Sequence, residues 1–296
     1  VFTHDKRTQY HCKPDRPDPL YAKKLQELIG GQFGEMSVML QYLFQGWNCR
    51  GPAKYRDMLL DIGTEEIGHV EMLATMVCRL LEGATAEDQE ASAKASGVVG
   101  AILGGTSPKD AIVAAAMNPQ HPIVNGLGAA PNDAVGFPWT ARFIIASGNL
   151  LADFRHNLAA ESQGRLQACR LYNMTEDAGV RDMLSFLIAR DAMHQNQWIA
   201  AIAELEADGL DGTPCPLAFP REKQLNAVAY QFVSQSGPDG ASTDGRWARG
   251  PSPDGRGQFT VAKPFPPAGE APRLATTDPR FYGTPSDPSE AVPVSS

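Results

Sequence analysis

A glutamate followed about thirty residues later by an acid-x-x-His pair occurs twice in this chain. The first set is Glu35 with Glu66-Ile67-Gly68-His69, and the second is Glu161 with Asp191-Ala192-Met193-His194. The leading glutamate precedes the acid of its pair by 31 residues in the first half and by 30 in the second. On an α-helix, residues i and i+3 differ by roughly 60° around the axis, so each acid shares a face with its histidine. The surroundings of those faces are apolar: Ile62, Val70 and Leu73 near the first pair, and Phe186, Leu187, Ile188 and Trp198 near the second. A carboxylate is costly to bury on such a face unless it is paired or binds a metal. The near-repeat therefore predicts two helical hairpins that present their glutamates and acid/His pairs to one shared centre, a two-metal site inside a four-helix bundle.

Taken singly, each signal is weak. An isolated acid-x-x-His is common by chance, and a lone buried histidine is ordinarily a core residue bonded to a backbone carbonyl. Glu35, next to Gly34, could be an exposed helix residue. Matched recurrence across four helices is not explained in those ways. The other histidines stand apart: His4 and His11 in the N-terminal arm, His121 in the crossover, and His156 off the face of Glu161. Glu65 lies about 100° from Glu66 and reads as a supporting or a surface residue. Arg79, Arg165, Arg170 and Arg181 read as surface or pairing charges.

The rest of the chain fits an all-α, ferritin-like four-helix bundle with a long crossover and an extended, mostly non-helical C-terminal tail. Residues 1–17 are polar, contain Pro14 and Pro17, and read as an arm. The bundle spans 18–209. Asp18-Pro19 starts a first helix running to about Gly46, with Asp as N-cap and Pro at the first helical position. A second helix covers roughly Pro52–Glu82, a third runs from Ser147 or Asn149 to Met174, and a fourth continues to about Asp208 with Gly209 as its stop. Residues 83–147, rich in Gly, Ala and Ser and broken by prolines, read as the crossover that parallel helices of a bundle need, with a short helix at 107–117. The tail, 210–296, holds 14 of the 23 prolines, which excludes long helices. Tyr230, Phe232, Trp247, Phe259, Phe265 and Phe281 recur along it, as expected of a segment packed on its own or a neighbouring subunit rather than of pure disorder.

The formal charge of −8 shows no concentrated basic patch, which argues against a nucleic-acid partner. The cysteines, Cys12, Cys49, Cys78, Cys169 and Cys215, are scattered and odd in number, as in a reduced, cytoplasmic protein. No run of about eighteen apolar residues is present, and the N-terminus has no apolar stretch of signal-peptide type, so no membrane partner is expected.

Longer segments carry a family resemblance. Leu-Gln-Glu-Leu-Ile-Gly-Gly-Gln-Phe-Gly-Glu (25–35), Gly-Thr-Glu-Glu-Ile-Gly-His-Val-Glu-Met (63–72), Ser-Gly-Asn-Leu (147–150) and Val-Arg-Asp-Met-Leu-Ser-Phe-Leu-Ile-Ala-Arg-Asp-Ala-Met-His-Gln (180–195) closely resemble the manganese (non-haem) catalases in order and spacing. The resemblance covers roughly residues 1–208 and, more loosely, the tail. It implies disproportionation of hydrogen peroxide to water and oxygen at two manganese ions cycling between Mn(II)₂ and Mn(III)₂. Glu35 and His69 would bind one ion, Glu161 and His194 the other, and Glu66 both. Three glutamates supply about −3 against roughly +4 reduced or +6 oxidised, so bridging oxide or hydroxide is expected to make up the difference. Hard carboxylates with neutral imidazole suit manganese.

This chain departs from some members in two places. An Arg that precedes the third glutamate is Ala160 here, and a Glu three residues before the second histidine is Asp191, which is expected near the cluster rather than as a ligand. Tyr42, two turns from Glu35, could reach the cluster's surroundings or be an ordinary core tyrosine. The resemblance further implies a homohexamer and, as in some members, a structural calcium. Asp57 and Asp61 match its acidic ligands, with Gln231, Val233 and Gln235 as partners from the tail. Two other readings of the bundle are a di-iron carboxylate oxidase and a metal-storage protein without turnover.

Overall fold

The computed structural model describes residues 7–82, 124–209, 225, 227–235, 240–253, 255 and 257–263. The expected helix at 107–117, His4, His121, Cys215, Phe265 and Phe281 lie outside the described residues. The chain divides into two compact units, residues 1–218 and 219–296.

The first unit is helical: α1 (Pro19–Leu25), α2 (Glu27–Gly30), α3 (Glu35–Asn48), α4 (Ala53–Leu81), α5 (Leu150–Tyr172) and α6 (Ala178–Ala207). Helices α3 and α4 form one hairpin, and α5 and α6 the other. Local chemistry sets their ends. Asp18 caps α1 by accepting from the Tyr21 amide, with Pro19 at the first position. Asn149 caps α5 through the Ala152 amide, and Asp177 caps α6 through the Val180 amide. Gly209, at φ +67°, follows α6 in the left-handed region that stops a helix.

One expectation needs correction. The first helix does not run unbroken from Pro19 to Gly46; it stops at Gly30, turns through 31–34 and restarts at Glu35. At the glycines around this break the backbone packs too closely for a side chain. A Cβ on Gly30 would lie 2.4 Å from the Asn132 carbonyl oxygen, and one on Gly34 would lie 2.8 Å from the carbonyl oxygens of both Leu28 and Ile29. Apolar residues recur at helical spacing on both sides of the break, which is why the sequence reads as one helix.

The core has two apolar layers with a polar layer between them. One apolar layer contains Leu25, Leu28, Met72, Leu73, Met76, Leu80, Leu184 and Leu187. The other contains Tyr42, Tyr55, Leu59, Ile62, Phe154, Trp198 and Leu205. Along α4 the buried residues run Leu59, Ile62, Glu66, His69, Met72, Leu73, and along α6 they run Leu184, Leu187, Asp191, His194, Trp198, Ala201. The charged residues thus interrupt both helices between the same two layers.

The arm from Arg7 is laid along this unit. Tyr10 stacks on Phe186 at 4.4 Å, Arg79 Nη1 donates to the Cys12 carbonyl, and at the start of α6 the Asp15 amide donates to the Asp177 carboxylate while the Ala178 amide donates to the Asp15 carboxylate. In the second unit β1 (Gln231–Val233) pairs in parallel with β3 (Gln258–Ala262), and β2 (Gly250–Pro251) pairs antiparallel with the other edge of β3. This agrees with a non-helical tail. Among the described residues Cys12, Cys49, Cys78 and Cys169 are free thiols, and no helix is long and apolar enough to cross a membrane.

Because the turn before α3 leaves no room for a Cβ, Gly34→Ala is expected to cost about 1–3 kcal/mol of stability. It should also displace Glu35. A fall in Tm together with a shift in the titration of Glu35 is the expected outcome; unchanged values of both would refute the packing argument.

Candidate metal centre

Five of the six side chains singled out by the doubled motif converge between the hairpins. Glu35 starts α3, Glu66 and His69 come from α4, Glu161 from α5 and His194 from α6. All are buried, with Glu66, His69 and His194 fully so. They form two groups: Glu35, Glu66 and His69, and Glu66, Glu161 and His194. Within each group one ligand-type atom per residue lies within 4.8 Å of the others.

Glu66 belongs to both groups, and its two oxygens divide between them. Oε2 lies 2.6 Å from His69 Nδ1, and Oε1 lies 2.8 Å from His194 Nδ1. Glu35 Oε2 approaches His69 Nδ1 at 3.7 Å, and Glu161 Oε1 approaches His194 Nδ1 at 3.5 Å. The two imidazoles face each other at 5.7 Å between centroids, 27° from parallel. Neither oxygen of Glu66, nor Nδ1 of either histidine, has a partner in hydrogen-bonding geometry. Buried polar atoms are rarely left so, and acceptors converging without donors suit a cation. The residues therefore fit a pair of metal ions: carboxylate and imidazole donors, each set completed by a shared carboxylate.

The protonation pattern has the same origin. Burial, followed by the charge of Glu66, pushes Glu35 up to about 8 and raises Glu161. Burial alone would raise Glu66 too, but both histidines outweigh it and hold its carboxyl well below the usual range. Burial works against a charged His69, yet Glu66 and the neighbouring carboxylates raise it well above the ordinary imidazole value. His194 is pushed up to about 12 by Glu161, Glu65 and Glu66 against the same burial. Protons on the imidazoles thus hold the positive charge that this layer demands.

Asp191 is buried in the same layer but belongs to neither ligand group. Burial, then the charges of Glu35, Glu161 and Glu66, raise it well above the carboxylate range, and its Oδ2 has no hydrogen-bond partner. Tyr42 is fully buried, and its hydroxyl donates to Glu161 Oε1 at 2.6 Å. Of the two readings the sequence left open for Tyr42, contact with the site is the one observed.

Glu65 is the residue whose importance the motif did not convey. It backs the imidazoles on the side away from Glu66: Oε2 lies 3.2 Å from His194 Nε2, and Oε1 lies 3.7 Å from His69 Nε2. An ionised carboxylate only accepts, so His194 Nε2 carries the proton and Nδ1 is left to face the centre. Arg190 grips Glu65 with Nε at 2.6 Å and Nη2 at 3.1 Å, and Gln9 of the arm donates to it at 3.1 Å. The signal in the sequence was a second acid beside Glu66 and a basic residue beside Asp191, which gain meaning only when α4 and α6 are side by side.

The proposed calcium residues are placed separately. Asp57 is exposed on α4 and pairs with Arg56 at 2.9 Å, and Asp61 is exposed one turn on. Gln231 and Val233 lie in β1, and Gln235 in the turn after it, all in the second unit.

Comparison with known proteins agrees with the chemistry of the centre. The family described as manganese containing catalase matches residues 1–293. A manganese catalase of Bacillus subtilis (strain 168) is 52% identical over 284 residues, covering 96% of this chain and 98% of the relative. A manganese catalase of Lactiplantibacillus plantarum is 40% identical over 283 residues, covering 95% and 98%. Among solved structures, a manganese catalase from Anabaena covers 89% of this chain and 100% of its own, with a TM-score of 0.65 at 23% identity, a likeness of fold.

Two outcomes follow from the geometry. Glu65→Gln is expected to weaken manganese binding by about 10- to 100-fold with the helical content retained; an unchanged dissociation constant would remove Glu65 from the centre. Glu35 holds its proton below about 8, so a metal must displace it. Manganese affinity should accordingly fall as pH drops below that value, with protons released on binding. Calorimetry in buffers of differing ionisation enthalpy measures that release directly.

Proposed function

The chain belongs to the manganese-containing catalase family, and on that premise we propose that it disproportionates hydrogen peroxide to water and oxygen at a pair of manganese ions. One ion would be held by Glu35 and His69, the other by Glu161 and His194, and both by Glu66. The observation that carries the ligand assignment is the division of the Glu66 oxygens between the two histidines, at 2.6 Å and 2.8 Å. When bound, the manganese pair would supply the two-electron redox chemistry, between the Mn(II)₂ and Mn(III)₂ levels.

The remaining work falls to side chains. Glu65 and Arg190 fix the imidazole of His194 so that Nδ1 faces inward. The Tyr42 hydroxyl orients Glu161 and lowers the electron density on its Oε1. Asp191, whose Oδ2 is unpartnered and whose carboxyl favours its protonated form, is suited to hold a proton beside the reacting oxygens. The apolar layers on either side keep bulk water from the site, which strengthens each of these interactions. A di-iron oxidase is the less favoured reading, because Asp191 joins neither ligand group and the set is then three carboxylates and two imidazoles. A storage protein without turnover is disfavoured by the family itself.

Assembly as a homohexamer and a structural calcium at Asp57 and Asp61 belong to the same proposal. An exposed edge-to-face pair, Phe44 and Trp47 at 5.2 Å, supports an interface on α3, and the exposure of both aspartates leaves them accessible to a shared cation. Asp57→Ala with Asp61→Ala is expected to lower calcium content and loosen assembly in light scattering while peroxide turnover per manganese changes little. Unchanged mass and calcium content would count against that site.

The central test combines metal analysis with oxygen release from peroxide. Two manganese per chain and rapid oxygen release are expected; iron, with peroxide consumed only alongside a second substrate, would overturn the proposal. Glu66→Ala should lose both metals and all turnover while circular dichroism stays near wild type, and retained turnover would refute the bridging role.

A further inference from the structure

The ligand residues are at most 6% exposed, so peroxide needs a route through the bundle. Above and below, the centre is closed by the two apolar layers. Behind the imidazoles it is closed by Glu65, which Arg190 and Gln9 hold in place. The remaining side is that of α3 and α5, which pack against each other far less extensively than each does against its hairpin partner. A cavity of about 90 Å³ lies there. That volume holds roughly three water-sized molecules.

Its floor is Val38 and Gln41 of α3 and Ala160 of α5, and its walls include Arg142, Phe143 and His156. Val38 lies one turn along α3 from Glu35, and Val38 and Ala160 pack in the same buried cluster as Tyr42, whose hydroxyl donates to Glu161. No carboxylate lines the cavity, although the layer behind it is rich in them. Among the described residues, neither the Arg142 guanidinium nor the His156 ring has a hydrogen-bond or ion-pair partner, so both are available to a guest. Hydrogen peroxide both donates and accepts; Arg142 offers donors, and imidazole offers one of each.

The walls are held by a buried amide frame. Asn157 Oδ1 accepts from Gln41 Nε2 at 2.8 Å and from Gln45 Nε2 at 2.9 Å, and Asn157 Nδ2 donates to Gln45 Oε1 at 2.7 Å. The same glutamines grip the Ile145 backbone, where its amide donates to Gln41 Oε1 and its carbonyl accepts from Gln45 Nε2. Trp139 Nε1 donates to Ser37 Oγ at 3.0 Å. The segment carrying Arg142 and Phe143 is therefore anchored at both ends to α3. A cavity framed by satisfied, buried polar groups keeps its shape, because moving the wall would strand those groups without partners.

We propose that this cavity is the peroxide antechamber of the enzyme. Arg142 and His156 would receive small polar guests at its mouth, and the small side chain of Ala160 would keep its inner end open. The inference rests on the catalase reading, since it concerns how that substrate reaches the metals.

The test uses the full-length, manganese-loaded protein and two plugs, Ala160→Leu at the floor and His156→Trp at the wall, with Arg170→Trp in a separate cavity beside Lys24 and Glu27 as control. Manganese content, circular dichroism, kcat/KM for peroxide and the association rate of azide, followed by manganese(III) absorbance, are measured for each. Both plugs should lower kcat/KM and the azide association rate together by at least about tenfold with manganese content retained, and the control should change neither. Should Ala160→Leu lose metal through its neighbour Glu161, His156→Trp decides alone. Wild-type rates in a plugged, metal-replete variant would overturn the antechamber, as would an equal fall in the control. Absence of oxygen release from the wild-type protein would instead overturn the catalase reading, and the azide rates would still decide whether this is the port.

Discussion

Everything in the first unit is arranged around the burial of like charge. Glu35, Glu66, Glu161 and Asp191 lie in one layer of the core with at most 6% exposure. Removing an ion from water costs several kcal/mol even after relaxation, and carboxylates this close also repel one another. Such a layer persists only with positive charge inside it. The two imidazoles, raised well above their ordinary range, supply that charge as protons, and the same atoms can present lone pairs to metal ions instead. On the proposed reading, affinity for a divalent pair would follow from how the layer avoids its own repulsion.

Two features of the backbone make the layer possible. The tight turn at 31–34 ends one helix and begins another, so Glu35 enters from the first turn of α3. The other feature is the pinning of the arm by Asp15, Arg79 and Tyr10, which holds Gln9 against Glu65. A segment that carries no ligand therefore helps to seal the centre from behind.

The fold and the five converging residues were legible because both depend on periodicity. A face repeats every three or four residues, and a buried polar residue interrupts an apolar stripe in a way that shows in one dimension. The break in the first helix was not legible: Leu25, Leu28 and Ile29 before it and Val38 and Tyr42 after it keep a helical rhythm, and only the approach of Asn132 explains why Gly30 must be glycine. Glu65 was undervalued for a related reason. Its angle from Glu66 placed it correctly off the ligand face, but its partners, His194 and Arg190, come from α6, 125 or more residues away. No spacing within α4 could report that. The cavity beside Ala160 is further still from any local pattern, since its lining comes from the turn at 31–34, α3, α5 and the segment between Trp139 and Ser147.

The doubled motif proves less symmetrical in space than in sequence, and the asymmetry has a chemical meaning. Glu66 reaches the centre of its layer and divides its oxygens between both histidines. Asp191, at the matching position, is one methylene shorter and stays out of both ligand groups. Burial, then the charges of Glu35, Glu161 and Glu66, raise its carboxyl well above the ordinary carboxylate range. On the proposed reading, one half of the repeat would supply charge to metals and the other an acid beside them. Disproportionation of peroxide moves protons as well as electrons. On the proposed reading, the shorter side chain at 191 would exchange a sixth ligand for an acid beside the metals, which suits a reaction that moves protons out of reach of bulk water.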